Sequence, residues 1–254
     1  MILDTHCHIH FRGLDDDRVD IIKRCRERGM ILNLVGTQKD TSRAAVQLAI
    51  QHDDMYASLG VHPNHLYPTY MDEGESQFMS REEDFDDAYY EELFQLGPEK
   101  IIGVGETGID FFHIPSESEV PFDGVGEKQR NVFLKHEAFA SKHDLPLVLH
   151  VRDPKDPTQH PSAHATMIKI LRSLKKPIRA TVHCFSGNWQ EAQQYLDLGC
   201  HLGLTGIITF PAKKTNPTPQ EALLEVVQKA PLDRLILETD APYLAPQKYR
   251  GKRS

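Results

Sequence analysis

The chain is poor in cysteine, with four in 254 residues, and none of Cys7, Cys25, Cys184 and Cys200 stands in a C-x-x-C pair or a compact framework. That pattern argues against a disulfide scaffold and reads as reduced, structural thiols in a cytoplasmic or nuclear protein. Long apolar runs are missing too. Nothing approaches the roughly 18 residues of a membrane span, and an apolar strand starting at Ile2 leaves no room for a signal peptide. There is no low-complexity tract, sequence repeat or linker. One domain over 1–254 is therefore expected, with no membrane partner and a monomer as the default. A surplus of positive charge is absent as well, since the net charge is −8. Its distribution matters more than its sum: residues 72–92 hold ten acids against Arg81, a net of −9, so the rest of the chain is about +1. A polyanionic partner is neither invited nor excluded by that balance.

With 39% hydrophobic and 26% charged residues, the chain can bury a substantial core. Its length suits one large α/β barrel or two ordinary domains. Short β-branched runs alternate with amphipathic stretches, the rhythm of βα units in a parallel sheet. Eight strands are predicted, near 2–6, 31–36, 56–61, 101–106, 147–151, 180–184, 201–205 and 235–239. Helices are predicted near 19–28, 42–52, 84–96, 128–143, 164–174, 190–198 and 220–228. The fold class is thus a single (β/α)8 barrel that lacks a full final helix, the stretch 241–254 being short, basic and rich in Pro and Gly. Asn188 is expected to cap the helix that carries Trp189, Tyr195 and Leu196, and Ser80 with Glu83 resembles a capping box.

Barrel enzymes build their sites at strand C-termini, and in this chain those positions are rich in metal-ligand residues. In Asp4-Thr5-His6-Cys7-His8 the two histidines are two residues apart and share one face of a strand. His62 ends the third strand, Glu106 the fourth, His150 the fifth, His183 the sixth and Asp240 the eighth. Any one of them could be a satisfied polar residue. Burying several ionisable groups at one barrel mouth is costly without a cation or tight pairing, so together they predict a metal centre. Gly103-Val104-Gly105-Glu106-Thr107-Gly108 also satisfies G-x-G-x-x-G, but a dinucleotide fingerprint must open a helix. The stretch from Ile109 to Pro115 cannot do so promptly, and the glycines read instead as room for backbone to approach the centre.

Six blocks in order, Asp4-Thr5-His6-Cys7-His8, Leu59-Gly60-Val61-His62-Pro63, Gly103 to Asp110, Leu149-His150-Val151-Arg152, His183-Cys184-Phe185-Ser186-Gly187 and Glu238-Thr239-Asp240-Ala241-Pro242-Tyr243-Leu244, resemble the TatD-type metal-dependent deoxyribonucleases of the amidohydrolase-like barrel superfamily. The resemblance covers nearly the whole chain. It implies two divalent metal ions, one held by His6, His8, Glu106 and Asp240 and the other by Glu106, His150 and His183, with Glu106 as the bridge. It also favours Mg²⁺, where the donor types alone leave Mn²⁺ or Zn²⁺ open, and it implies 3′-end processing of DNA. Similar proteins usually continue beyond the Arg250-Gly251-Lys252-Arg253 stretch into a last helix. The stretches near 68–85 and 112–126 are longer than in compact relatives.

The expected chemistry is hydrolysis by a water that paired cations activate, with the cations also neutralising phosphate oxygens. Asp240 is the candidate general base. His62 and Arg152 are placed to meet the phosphate or the leaving group, although Arg152 equally suits a structural ion pair. Phe111, Phe112, Lys155, Phe210, Lys213 and Lys214 stand in loops after strands four, five and seven. There aromatic faces and lysines suit a single-stranded DNA end better than duplex. Two rival readings remain: a small-molecule amide hydrolase or deaminase on the same barrel, and a non-catalytic binding protein that keeps the ligand set.

Overall fold

The computed structural model describes the chain except for residue 1, residue 69, residues 73–76, residues 117 and 118, residue 175 and residue 253. Eight parallel strands form a nearly closed barrel in chain order. They are β1 (Ile2–Cys7), β2 (Met30–Val35), β3 (Met55–Leu59), β6 (Ile101–Asp110), β7 (Leu147–Arg152), β8 (Ala180–Val182), β9 (His201–Leu204) and β10 (Leu235–Leu237). The labels β4 (Tyr70–Asp72) and β5 (Gln77–Met79) belong to a separate antiparallel ladder with Tyr70 opposite Met79. That ladder falls in the long stretch after the third barrel strand, where no strand was expected. Helices α1 (Arg18–Glu27), α2 (Lys39–Ile50), α3 (Asp87–Leu96), α4 (Phe122–His143), α5 (Ala163–Ser173), α6 (Trp189–Asp197) and α7 (Thr218–Lys229) fill the connections.

The barrel closes through a short seam beyond the ends of β1 and β10. Asp240 N donates to His6 O at 2.9 Å, and His8 N donates to Ala241 O at 2.7 Å. Behind them Asp4, buried, accepts from Thr239 N at 3.0 Å and from Thr239 Oγ1 at 2.6 Å. Three hydrogen-bonding groups thereby fix His6, His8 and Asp240 relative to one another. The outer side of the seam is bare: Ile2, Leu3 and Leu237 are exposed. Among the described residues, only a 3-10 turn, Gln247–Tyr249, follows β10.

Most elements lie within a few residues of the sequence expectation. Two differ for identifiable reasons. Helix α4 starts at Phe122, six residues early, because Phe122 packs on Phe111 with ring centroids 4.8 Å apart. That burial draws two glycines, Gly124 and Gly126, into the first two turns, for which they have poor propensity. Ser80 caps no helix: its Oγ donates to Tyr67 O at 2.6 Å, and α3 begins later, capped by Asp86, which accepts from Tyr89 N. Asn188 does cap α6, in a box with Glu191.

Among the described residues, the acids of 82–92 are largely paired. Lys128, Lys135 and Lys142, seven residues apart on one face of α4, reach Glu82 at 2.6 Å, Asp84 at 2.5 Å and Glu91 at 2.6 Å. From the other side Lys39 reaches Asp86 at 2.9 Å. Each such surface pair stabilises little, but together they leave little uncompensated charge on that side of the barrel. The cysteines are all free, and burial pushes the Cys200 thiol up to about 12. No described helix is long and apolar enough to cross a membrane.

Candidate metal centre

Strand β6 does most to build the site. It continues through the glycine-rich motif to Asp110, with a register shift against β7 between Val104 and Thr107, so the motif opens no helix. The glycines answer to neighbouring strands: a Cβ on Gly105, whose φ is +149°, would run into Val148 O, and one on Gly108 into His150 O. This lack of side chains lets β6 lie close to β7. Period-two alternation then places Glu106 and Asp110 on one face, on either side of His150 from β7.

Around Glu106 the imidazoles converge. Its Oε2 lies 3.3 Å from His6 Nε2, and its Oε1 lies 2.9 Å from His150 Nδ1 and 3.5 Å from His62 Nε2. His6 Nε2 and His8 Nε2 are 3.2 Å apart. Asp240 Oδ1 lies 3.2 Å from His8 Nε2, 3.6 Å from His183 Nε2 and 3.8 Å from His6 Nε2. The His183 ring stacks on His6 with centroids 3.4 Å apart. All six residues of the expected ligand set are therefore gathered at one end of the barrel. Among the described residues, three donor groups are tight enough to hold an ion: His6, His8 and Glu106; His62, Glu106 and His150; and His6, His183 and Glu238. In this arrangement His62, rather than His183, accompanies Glu106 and His150.

The electrostatics are those of cation-binding groups with protons standing in. Burial lowers the pKa of His183, but the charges of Glu238 and Asp240 outweigh it and push it up to about 10. His150 behaves alike: burial is outweighed by hydrogen bonds to Asp110 and Glu106, and its pKa rises to about 9. Burial opposes ionisation of Glu106, yet the surrounding His62, His6 and His150 hold its carboxyl well below the usual range. His62 stays neutral, its pKa lowered to about 4 by burial and then by His150. Since its Nδ1 accepts from Asn64 N at 3.1 Å, its remaining proton sits on Nε2, facing Glu106.

These donors fit divalent cations. His6 Nδ1 is buried without a hydrogen-bond partner, and nitrogens that converge within hydrogen-bonding distance of two ionised carboxylates suit a positive charge between them. Orienting partners are in place as well. His150 Nε2 donates to Asp110 Oδ2 at 2.9 Å, His183 Nδ1 to Glu238 Oε2 at 2.9 Å, and His8 Nδ1 to Val35 O at 2.7 Å. Such contacts fix the tautomer and raise the basicity of a ligating imidazole. Asp110 and Glu238 were not singled out as site residues from the sequence. The signal was there: each lies an even number of residues from an expected ligand, Asp110 on the same strand as Glu106 and Glu238 just beyond the end of β10.

The expected substrate contacts divide. Phe111 is buried against Phe122 and belongs to the core, because the side chain after Asp110 points outward beneath α4; it is removed from the substrate set. Phe112 remains at the mouth, with Arg152 4.0 Å and Lys155 4.7 Å from its ring. Among the described residues Arg152 makes no ion pair, so the structural alternative finds no partner. Phe210, Lys213 and Lys214 lie further round the rim, in the loop after β9.

Fold and site together define a hydrolase-type barrel with a histidine–carboxylate centre at its C-terminal mouth. A family model described as TatD related DNase matches residues 3–254. The chain belongs to this family of metal-dependent hydrolases. It is 29% identical over 257 residues to the uncharacterized metal-dependent hydrolase YabD of Bacillus subtilis, covering all of this chain and 85% of that one. It is 31% identical over 251 residues to a protein of Cronobacter sakazakii named 3′-5′ ssDNA/RNA exonuclease TatD, covering 97% and 80%. Among solved structures, YjjV, a TatD homologue from Escherichia coli, superposes with a TM-score of 0.75 at 27% identity, over 100% of this chain and 84% of that one.

Proposed function

We propose that the protein is a deoxyribonuclease that removes nucleotides from the 3′ end of single-stranded DNA, with two Mg²⁺ ions at the centre. The observation that carries this reading is the two-sided environment of Glu106. One carboxylate oxygen meets His6 and the other meets His150, as a bridging ligand requires. His6, His8 and Asp240 would hold one cation, and His150 with His183 or His62 the other. When bound, the cations supply Lewis-acid charge for the phosphate oxygens and acidify the attacking water. The similarity to a relative named as a 3′-5′ exonuclease on single strands favours a phosphodiester over an amide.

The chain's own residues then divide the work. Asp240 is the proton acceptor: burial opposes its ionisation, but His183 and His8 keep it a carboxylate, and its side chain is 13% exposed at the mouth. It stands on a left-handed backbone position, φ 60°, which costs about 1–2 kcal/mol in a non-glycine residue and turns the carboxylate back over the centre. With His183 completing the second cation's ligands, His62 is left free to offer Nε2–H to a phosphate oxygen or to the departing hydroxyl. Arg152, exposed and without an ion-pair partner among the described residues, offers its guanidinium to a phosphate, and Phe112 beside it offers a face to the terminal base.

The test is release of nucleotides from 5′-labelled single-stranded DNA with Mg²⁺, beside a chelated sample and Glu106→Ala. Shortening from the 3′ end, abolished in both controls, supports the reading. A folded, metal-loaded protein that leaves the strand intact but hydrolyses an amide refutes it.

A further inference from the structure

We propose that the loop after β9 and the segment after β10 form one track for the phosphodiester backbone of a single-stranded nucleic acid, leading away from the centre. The identity of the ligand rests on the nuclease reading; the track itself rests on charge and placement. Residues 206–217 and 241–254 contain six cations, Lys213, Lys214, Lys248, Arg250, Lys252 and Arg253, and no acid. In a chain of net −8 the remainder therefore carries −14.

The two stretches meet in space. Gln247 N donates to Thr209 Oγ1 at 2.8 Å, and the Arg250 guanidinium lies 4.7 Å from the Phe210 ring. Their far end returns to the centre: Ser254 N donates to Pro242 O at 3.1 Å, two residues beyond Asp240. Among the described residues, no acid pairs with Lys213, Lys214, Lys248, Arg250 or Lys252. That contrasts with the lysines of α4, each of which has its carboxylate. Partners for Arg250 and Lys248 are instead the rings of Phe210 and Tyr249, and Tyr249 is half exposed.

Unpaired cations interleaved with aromatic faces suit an unstacked strand, whose phosphates meet the charges while its bases lie on the rings. Duplex offers phosphates but no free base faces. Because the track runs from the Asp240 loop, it gathers nucleotides beyond the one being released and makes a longer strand a better ligand than a dinucleotide.

The experiment measures binding of fluorescein-labelled dT20 in chelator, from 50 to 200 mM salt, by anisotropy. The variants are Lys248→Ala/Arg250→Ala/Lys252→Ala and a charge-matched control at the opposite end of the barrel, Lys23→Ala/Arg24→Ala/Arg28→Ala. Counterion release on single strands gives a slope of about −0.7 per neutralised phosphate, so the track variant should show a slope shallower by about 2 and roughly tenfold weaker binding. The control should match the parent. With Mg²⁺, the parent's KM should fall from dT3 to dT20, and the track variant should lose that length dependence. Should the triple variant not fold, Lys248→Ala, in an exposed turn, should still make the slope shallower by roughly 0.7. Equal binding by parent and track variant, an equal loss in the control, or duplex bound as tightly as dT20 would overturn the track. Intact slope effects without hydrolysis of any strand would instead sink the nuclease reading and leave the track standing.

Discussion

Metal loading should be a proton-exchange reaction, because the two most basic imidazoles of the centre are protonated when no cation is there. With pKa values pushed up to about 9 for His150 and about 10 for His183, both are charged at pH 7.5, and an imidazolium has no lone pair to give. Displacing the protons costs about 1.4 kcal/mol per unit between pH and pKa, hence about 2 and about 3 kcal/mol, or about 5 in all. Apparent affinity for Mg²⁺ or Mn²⁺ should rise about 100-fold per pH unit from 7 to 9, then about tenfold to pH 10. Calorimetric titration in buffers of different ionisation enthalpy should count about two protons released at pH 7.5. Glu238→Gln removes the strongest charge holding the proton on His183 and should lower that count by about one. A count near zero in the parent at pH 7.5 would show that the imidazoles are neutral and refute the reasoning. The same shifts act on folding: stability from raised histidine pKa values is fully present below about 6.5 and is lost as pH rises through 9 and 10. The metal-free protein should therefore melt at progressively lower temperature from pH 7 to 10, and saturating cation should abolish most of that slope.

Three further outcomes are expected. Asp110→Asn leaves the His150 position filled but withdraws its anionic partner, and should weaken metal binding or activity 10–100-fold, read as a shifted Mg²⁺ dependence. Asp4→Ala strands the Thr239 donors at the seam and should cost about 3 kcal/mol, a fall of roughly 10 °C in Tm; an unchanged Tm would show that the seam is held elsewhere. His136, buried on the inner side of α4, accepts from Val61 N at 2.9 Å and donates to Val132 O at 2.8 Å, and burial lowers its pKa to about 4. A lowered folded value means stability is lost as pH falls from about 6.5 towards 4, by about 3 kcal/mol. His136→Gln should remove that share of the acid limb in denaturant titrations at pH 7 and pH 4.5.

The barrel was legible because its signals are local and repeated: apolar strand runs, each ending in an ionisable residue, alternating with amphipathic helices. Among the described residues, every barrel strand and every α-helix has a counterpart in the sequence pattern. What was not legible depends on partners distant in the chain. The start of α4 is set by Phe111, eleven residues away, and the ladder of β4 and β5 by its own cross-strand pairing. The pairing of the acids at 82–92 was not legible because the lysines that meet them lie 46 to 51 residues further on. Phe111 read as a rim aromatic for a similar reason: proximity to strand four says nothing about which side of the barrel wall a ring takes.

The carboxylates behind the imidazoles show where a closer reading would have reached further. On a strand, Glu106 and Asp110 share a face as surely as His6 and His8 do, and a His on the neighbouring strand must then lie between two acids. His150 does, its two nitrogens 2.9 Å from each. Past the end of β10, where alternation no longer applies, Glu238 and Asp240 nevertheless hold His183 between them. An imidazole clamped by two carboxylates is a poor base to leave without a cation and a strong ligand once one arrives. The outer acids, Asp110 and Glu238, therefore set how tightly the centre holds metal at neutral pH, while the inner acids, Glu106 and Asp240, face the space where the chemistry occurs. Neutralising an outer acid should move metal affinity before turnover at saturating Mg²⁺, and neutralising Glu106 should abolish both. If Asp110→Asn at saturating Mg²⁺ proved as inactive as Glu106→Ala, that division of labour would be wrong.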